Sequence, residues 1–326
     1  MELPVELRSL IEEKLDGISV KELQKNSESV SLKYRDDNRD GSRLVTEEIE
    51  ALAYSAVRMP ATYGAIHTVL QNTFEIYKPE IHSILDVGAG TGAGTWAVNG
   101  LTDFKEAVCL EREDVMMNLG KSLMKESGIE QLENAKWEKF DLVNSDLTHQ
   151  ADLVICSYVL NEISEQERMQ ALDKLWNATN KILVIIEPGT PVGFSEIKEI
   201  RKKLIETGGQ VIAPCPNIEK CPMPENDWCH STCRVSRTKI HKLLKSGDVP
   251  YEDEKFSYIA VSKQAFEKQD FSRVLRHPKI ESGKITLQIC SNEGISEKVI
   301  TKKDKELFKT ARKAGCGDEI SFLHIK

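Results

Sequence analysis

Apolar residues in the first 80 positions recur at the spacing of amphipathic helices. Two series show this spacing, namely Leu7, Leu10, Ile11 and Leu15, and then Ile49, Leu52, Ala53, Ala56 and Val57. Between them lies a polar segment, 34–43, which is predicted to be a linker that is mobile or waits for a partner. Residues 1–80 are therefore expected to form an N-terminal helical region.

From residue 81 to about 213, short β-branched runs alternate with longer amphipathic segments. Strands are predicted near 82–87, 106–111, 152–158, 181–187 and 209–213, with a weaker one near 136–140. Helices are predicted at 92–100, 114–126, 163–177 and 194–206. This alternation is typical of βαβ units around a parallel sheet, so residues 81–213 are expected to form a Rossmann-like α/β core.

Residues 214–326 follow a different pattern. A cysteine-rich loop comes first, and then a helix is predicted near 233–246, a strand at 256–262 and a β-rich tail at 271–326. The sequence thus predicts three consecutive parts: the helical region 1–80, the core 81–213 and a C-terminal, β-containing extension.

The cysteine-rich loop is the most unusual stretch of the chain, because residues 215–233 hold four of the eight cysteines. Prolines at 214, 216, 222 and 224 exclude a helix or a central strand there. A bound metal would hold the thiols of such a loop in register. The alternative is a loop whose cysteines pack as small apolar groups.

The expected compartment bears on this choice. The amino terminus has no apolar signal core, and no apolar run reaches the roughly 20 residues that a membrane-spanning helix needs. A soluble, cytoplasmic protein without a membrane partner is therefore expected. Thiols stay reduced in the cytoplasm, where a cysteine group more often holds zinc or iron than disulfides.

The formal net charge of −8 is unevenly distributed. Residues 201–326 carry 24 Lys+Arg and 17 Asp+Glu, whereas residues 1–200 carry 20 and 35. Short basic groups in the C-terminal part predict an anionic partner, most commonly nucleic acid. The alternative is a solvated lysine face.

A glycine-rich turn follows the first predicted strand of the core, in the run Leu85-Asp86-Val87-Gly88-Ala89-Gly90-Thr91-Gly92. Such a turn at a helix start lets backbone N–H groups approach a ligand closely. Asp86 inside the strand favours S-adenosylmethionine over a dinucleotide, and Glu111 at the end of the second strand is placed to bind ribose hydroxyls. The alternative is a doubly wound domain with an empty crevice.

Further crevice residues follow from topology, because ligands of open α/β sheets lie at the carboxyl ends of the strands. Residues 140–142 after the third strand are expected to border the adenine, and Ser157 and Tyr158 after the fourth to face the methyl group, with loop packing as the alternative role. The predicted cofactor-binding set is Asp86, Gly88, Ala89, Gly90, Glu111, Arg112, Asp141, Leu142, Ser157 and Tyr158.

Several motifs together carry a family resemblance that covers nearly the whole chain. They are Arg58-Met59-Pro60-Ala61-Thr62-Tyr63, Leu85 to Gly90, Ser157 to Glu162, Glu187 to Pro191, Ala213 to Pro216, Asn226 to His230 and Tyr251 to Tyr258. The chain resembles the methyltransferase-like proteins associated with the mitochondrial small ribosomal subunit and their bacterial and archaeal relatives. The resemblance implies a class I S-adenosylmethionine-dependent methyltransferase fold, an iron–sulfur cluster in the C-terminal part, and a role on small-subunit ribosomal RNA in assembly or translation.

Two sets of four metal ligands are open. Spacing alone gives Cys215, Cys221, Cys229 and Cys233, the last two at i, i+4 on one helix face. The resemblance instead implies Cys290 as the fourth ligand. Four thiolates suit either zinc or a [4Fe–4S] cluster, and the resemblance favours the cluster. Outside this set, Cys109 and Cys156 are expected in the core, and Cys316 has no predicted role.

No catalytic residue can be named. Amine methyltransferases use an Asn/Asp-Pro-Pro-aromatic segment after the fourth strand, and here the segment is Ser157-Tyr158-Val159-Leu160, which lacks those acceptors. Three hypotheses remain: an rRNA methyltransferase, a non-catalytic assembly factor that keeps the fold and its cofactors, and a zinc-stapled small-molecule methyltransferase. The sequence predicts no oligomeric state.

Overall fold

The computed structural model describes residues 1–33, 44–216, 220–245, 249–268 and 270–322. The predicted linker 34–43 lies outside the described residues. The chain folds into two compact units: unit 1 comprises Met1–Gln71, Pro79–Ile185 and Cys233–Glu254, and unit 2 comprises Asn72–Lys78, Ile186–Thr232 and Lys255–Lys326. The division into three consecutive parts remains a prediction.

The helices and strands have the following bounds. The helices are α1 Val5–Leu15, α2 Val20–Lys33, α3 Glu48–Val57, α4 Met59–Ile76, α5 Ala93–Asn99, α6 Asp114–Lys125, α7 Glu130–Glu133, α8 Glu165–Ala178, α9 Pro191–Glu206, α10 Lys239–Leu244 and α11 Lys305–Lys313, with 3-10 turns at Leu160–Glu162 and Lys302–Asp304. The strands are β1 Ser83–Val87, β2 Glu106–Glu111, β3 Lys136–Lys139, β4 Ala151–Ser157, β5 Thr179–Pro188, β6 Gln210–Ala213, β7 Ser231–Ser236, β8 Tyr251–Ser262, β9 Ser272–Val274, β10 Lys279–Glu281, β11 Lys284–Ser291, β12 Gly294–Thr301 and β13 Glu319–Ile320.

The larger sheet has the strand order β3-β2-β1-β4-β5-β8-β6, with β7 beside β8. Strand β1 pairs in parallel with β2 and β4, β2 pairs in parallel with β3, and β6 runs antiparallel to β8. The order 3-2-1-4-5 of the first five strands is that of a doubly wound sheet. With β8 inserted between β5 and β6 and running antiparallel to β6, the chain has the class I methyltransferase fold, so the predicted fold class is confirmed.

The central strands are continuous apolar runs, as expected for a sheet covered on both faces. Leu153, Val154 and Ile155 on β4 are fully buried, and so are residues 182–186 on β5. Helix α8 begins at a capping box, in which Ser164 accepts from the N–H of Glu167 and Glu167 accepts from Ser164. These signals explain why the sequence placed the core elements within a few residues of their observed bounds.

One predicted element is wrong. Residues 231–236 form strand β7 rather than the start of a helix, and α10 covers only Lys239–Leu244. The segment alternates, because Cys233 and Val235 are buried while Arg234 between them is exposed, which is the period of a strand. Thr238 then caps α10 by accepting from the N–H of His241 at 3.2 Å.

The C-terminal strands form a second, antiparallel sheet with the order β10-β11-β9-β13, and β12 pairs with β11. Its core contains Ile285, Leu287 and Ile289 of β11, with Leu307 and Phe308 of α11 packed against it. The predicted β-containing extension is therefore confirmed. None of the helices within the described ranges is long and apolar enough to cross a membrane.

Candidate functional site

Unit 1 contains a crevice at the carboxyl ends of β1, β2 and β4. Its empty space, including the open mouth, is about 890 Å³. Eight of the ten predicted cofactor-binding residues line it: Gly88, Gly90, Glu111, Arg112, Asp141, Leu142, Ser157 and Tyr158. Asp86 and Ala89 do not line it.

The glycine turn is held by the neighbouring strand. The N–H groups of Gly88 and Ala89 donate to the carbonyl oxygen of Leu110 at 2.8 and 3.0 Å. Gly88 has a φ of 69°, and a Cβ there would lie 2.2 Å from Cγ2 of Val159. Both the left-handed backbone and the close approach thus require glycine at this position.

The carboxylate of Glu111 organises the crevice wall. Its Oε2 accepts from the N–H of Gly90 at 2.7 Å, and its Oε1 accepts from the N–H groups of Arg112 and Glu113, both at 2.8 Å. Burial raises the pKa of Glu111, while these three bonds act in the opposite direction. A carboxylate has about four lone-pair positions, so one position on Oε2 is left for a ligand hydroxyl.

The carboxylate of Asp86 binds the first turn of α5. Its Oδ2 accepts from both the N–H and the hydroxyl of Thr95, at 2.9 and 3.1 Å. Burial is the main reason that its pKa is raised to about 6. The side chain therefore supports the helix that follows the glycine turn, and it does not line the crevice.

The crevice also has a wall that the sequence did not indicate. Glu162 lines it together with Glu113, and burial is the largest cause of the rise in the pKa of Glu162 to about 7, with Arg112 opposing and Glu111 and Glu113 adding to it. Glu162 ends the motif Ser157 to Glu162, yet nothing in its sequence context marked it as a crevice residue. From the helical region, Tyr54 of α3 also lines the crevice.

Tyr158 has a φ of 58°, which is uncommon for a residue other than glycine. Its hydroxyl donates to Oε1 of Glu254 at 3.2 Å, and Nη2 of Arg58 lies 3.5 Å from the same oxygen. Three motifs far apart in the sequence therefore meet at this side chain. Asp141, by contrast, accepts from the N–H groups of Val143 and Asn144 in its own loop, at 2.9 and 3.1 Å.

Unit 2 contains a second cavity, and Cys215, Cys221, Cys229 and Cys290 all line it. We call it the cysteine cavity. Cys233 belongs to unit 1 and does not line it. In unit 1, Sγ of Cys233 lies close to Gly64, where an added Cβ would be 3.2 Å away. The structure thus brings together the four cysteines that the resemblance implied, and Cys233 lies on a strand, so the expectation that Cys229 and Cys233 share a helix face is wrong.

The four thiols influence one another. Burial raises the pKa of Cys290 to about 12, and the charges of Cys215 and Cys221 add to the rise. Burial likewise raises the pKa of Cys229 well above its usual value, and each of the other three cysteines contributes. Because burial and like charge both favour the protonated thiol, a cation is needed to make Cys229 and Cys290 thiolates at neutral pH.

The spacing of the donors bears on what they can hold. Within the described ranges, no group of three or more His, Cys, Asp and Glu side chains is arranged to hold a metal ion. Tetrahedral zinc needs four sulfurs at about 2.3 Å from one centre. A cluster with several irons places its thiolates further apart.

The other cysteines have structural surroundings. Cys109 and Cys156 are fully buried in β2 and β4, as expected of core residues. Cys316, for which no role was predicted, donates its S–H to the carbonyl oxygens of His230 and Leu275 at 3.1 and 3.0 Å. It therefore ties the end of the cysteine loop to the strand region after β9.

The basic C-terminal segment of unit 2 is exposed. Six cations lie on the solvent side of residues 302–313, namely Lys302, Lys303, Lys305, Lys309, Arg312 and Lys313. Glu306 pairs with Lys309 at 2.8 Å, and Asp304 accepts from the N–H of Thr301 at 2.7 Å. The segment thus presents more positive than negative charge to solvent.

Comparison with known proteins identifies relatives in sequence. The family model described as "Mitochondrial small ribosomal subunit Rsm22" matches residues 48–321. The human "Ribosome assembly protein METTL17, mitochondrial" is 25% identical over 295 residues, which cover 84% of this chain and 63% of that protein. The chain therefore spans less than two thirds of the length of this relative.

Solved structures resemble the chain only loosely. Magnesium protoporphyrin IX methyltransferase from Synechocystis PCC 6803 with bound SAM has a TM-score of 0.42 and 12% identity, covering 72% of this chain and 91% of its own. N-methyltransferase NodS from Bradyrhizobium japonicum WM9 has a TM-score of 0.42 and 9% identity, covering 74% and 99%. With such low scores, the assignment of the fold depends on the strand order described above.

Proposed function

The chain belongs to the Rsm22 family, and from this premise we propose that it acts on the small ribosomal subunit, through its RNA, in assembly or translation. In this proposal the crevice of unit 1 binds S-adenosylmethionine. Cys215, Cys221, Cys229 and Cys290 hold an iron–sulfur cluster. The protein works in the cytoplasm.

The ribosomal part depends on family membership, which covers residues 48–321. The human relative is named a ribosome assembly protein, and the same role is proposed for this chain although it is shorter. The exposed cations of 302–313 support binding to RNA, because interactions with phosphates supply most of the sequence-independent affinity for nucleic acids.

The donor proposal is supported by the crevice of unit 1. The glycine turn exposes backbone at the end of β1, and Glu111 keeps one acceptor position on Oε2 for a ribose hydroxyl. Three carboxyl groups, Glu111, Glu113 and Glu162, surround the crevice, and a sulfonium ligand is cationic. Their charge favours such a ligand over a neutral one.

The cluster proposal is carried by a single observation, the meeting of the distant Cys290 with three cysteines of the cysteine loop at one cavity. Four thiolates match a [4Fe–4S] cluster in donor type and number, and they match zinc as well. When bound, the cluster would fasten the cysteine loop to β11. Zinc is the competing occupant, and metal analysis separates the two.

Methyl transfer is proposed without naming a general base for it. The residues after β4 lack the acceptors of amine methyltransferases, and this observation favours a second candidate, an assembly factor that binds the donor without transferring its methyl group. Methyl transfer from radiolabelled donor to purified small-subunit RNA, with Gly90→Val as the donor-free control, distinguishes the two. Label in RNA with the wild type alone establishes the enzyme.

The cluster is tested by iron and sulfide content after anaerobic purification. We expect Cys290→Ser to lose iron and Cys233→Ser to keep it, because Cys290 lines the cysteine cavity and Cys233 does not. The pair is matched, since each change removes one sulfur from a strand. Equal iron in both variants would contradict the assignment of Cys290, and zinc in the wild type would replace the cluster.

Association with the ribosome is tested by co-sedimentation with purified small subunits. We expect the wild type to travel with the subunits at low salt. Failure to co-sediment at any salt concentration would exclude the ribosomal proposal and favour a small-molecule methyltransferase.

A further inference from the structure

Arg273 lies at the wall of the cysteine cavity although it is not a cysteine neighbour in sequence. It belongs to β9 and is directly opposite Cys290 of β11 in the antiparallel register. Residues opposite each other in such a pair project from the same face of the sheet. Arg273 lines the cavity, and its side chain is only 2% exposed.

Two of the three guanidinium nitrogens donate hydrogen bonds. Its Nε donates to the carbonyl oxygen of Pro214 at 2.9 Å, and its Nη1 donates to that of Gly317 at 3.0 Å. Pro214 precedes Cys215, so Arg273 connects the backbone beside the first cysteine with the strand facing the last one. The side chain thereby bridges the two ends of the four-cysteine set.

The third arm is unsatisfied. Nη2 of Arg273 is buried and makes no hydrogen bond within the part of the chain that the structure describes. Its nearest counter-charge is Glu319, whose Oε2 lies 3.6 Å away and whose side chain is 40% exposed. Buried polar groups of proteins are almost always hydrogen-bonded, so this nitrogen requires a partner that the described residues do not supply.

The charge of the arginine also calls for compensation. Arginine stays protonated in proteins, and a buried cation is costly unless it is paired. Lys198 and Arg201 line the same cavity. Four thiolates outweigh the positive charge of the core that they ligate, so the bound group is an anion placed among cations.

We infer that Arg273 is a positioning residue for the thiolate-bound group of the cysteine cavity: its buried guanidinium neutralises that group and directs the Nη2 N–H toward its sulfur atoms. This inference rests on the proposed cluster. Glu319 moderates the effect, because its carboxylate interacts with the same Nη2 group at 3.6 Å.

Charge compensation makes two opposite predictions for the rate at which a chelator removes iron. Arg273→Gln should release iron about tenfold faster, at the lower end of the 10–100-fold cost of losing an outer-shell partner. Glu319→Gln should release it about threefold slower, since the guanidinium is then no longer shared and one nearby negative charge is gone. Arg312→Gln, an exposed change of the same kind on α11, should match the wild type.

The experiment uses the full-length, anaerobically purified protein with excess ferrous chelator at pH 8, followed by visible absorbance. If the wild type contains neither iron nor sulfide, the proposal of a cluster is overturned, and this inference with it. If the wild type contains iron but Glu319→Gln releases it as fast as the wild type or faster, this inference is overturned and the cluster is not. The Glu319 variant decides even where Arg273→Gln does not fold, because Glu319 is half exposed and a purely structural role of Arg273 predicts no slowing.

Discussion

The interaction between Glu111 and the donor ribose can be isolated by changing Glu111 to Ala. In the structure this carboxylate accepts three backbone N–H groups and keeps one position for a ligand hydroxyl. The substitution removes that position. It also leaves the N–H of Gly90 without its acceptor, so part of any loss of affinity will come from the turn.

The direct part can be estimated from one hydrogen bond to a charged acceptor, about 1.5–3 kcal/mol. At about 1.4 kcal/mol per factor of ten, this corresponds to a dissociation constant raised roughly 10- to 150-fold. A carboxylate with four free positions would accept from both ribose hydroxyls, and its removal would cost more donor affinity. Because three positions are occupied, the loss of a single bond is expected.

Calorimetry with S-adenosylmethionine and its 2′- and 3′-deoxyribose analogues separates the ribose hydrogen bond from the turn. In the wild type, one of the two analogues should bind weakly by the factor above. With Glu111→Ala, that analogue and the parent should bind equally, because the partner of the missing hydroxyl is gone. Glu106→Ala changes an exposed glutamate at the start of the same strand and should leave both affinities unchanged.

Two results would refute this reasoning. An undiminished preference for the parent donor in Glu111→Ala would mean that another group binds the ribose. No donor binding by the wild type at all would leave a methyltransferase fold with an empty crevice.

Three further predictions concern the crevice and the basic segment. Because the pKa of Glu162 is about 7, its carboxyl is mostly neutral at pH 6 and mostly charged at pH 8, so affinity for the cationic donor should rise up to about tenfold between these pH values, and titration calorimetry should find no rise with Glu162→Gln. Gly90→Ala should weaken donor binding and lower the free energy of unfolding by only about 1–2 kcal/mol in urea melts. The stability cost is small because the φ of Gly90 is 57° and an added Cβ meets only Met116, at 3.5 Å. An unchanged donor affinity would argue against a close approach of the donor to the backbone of Gly90. Changing Lys302, Lys303 and Lys305 to Gln should flatten the salt dependence of RNA binding by about 0.7–0.9 in log–log slope for each phosphate that is no longer neutralised, measured by filter binding, and an unchanged slope would exclude this segment.

The sequence predicted the core of the fold well because its signals are local. The β-branched runs of β1, β4 and β5 are buried on both faces, and the glycine turn after β1 needs a backbone that other residues rarely adopt. The ends of these strands form the crevice in any doubly wound sheet. Eight of the ten predicted residues therefore line it without any knowledge of packing.

The remaining crevice residues depend on side-chain direction and on tertiary packing. Asp86 lies on the same strand as the turn, yet its carboxylate is directed to Thr95 in α5. Glu162 reaches the crevice through the 3-10 turn Leu160–Glu162, whose position is set by packing after β4. Tyr54 comes from a helix whose docking face is not encoded by any motif. Periodicity alone does not determine these placements.

The choice between Cys233 and Cys290 shows why spacing was a poor guide to the cysteine cavity. A separation of four residues brings side chains together only on a helix, and Cys233 lies on a strand. On β11, Ile285, Leu287 and Ile289 face the core of the small sheet, so the alternate residue Cys290 projects from the opposite face, beside Arg273. A slip of one residue would exchange Ile289 and Cys290 between the two faces. The apolar alternation of β11 therefore fixes which cysteine reaches the cavity, and this information lies more than fifty residues from the cysteine loop.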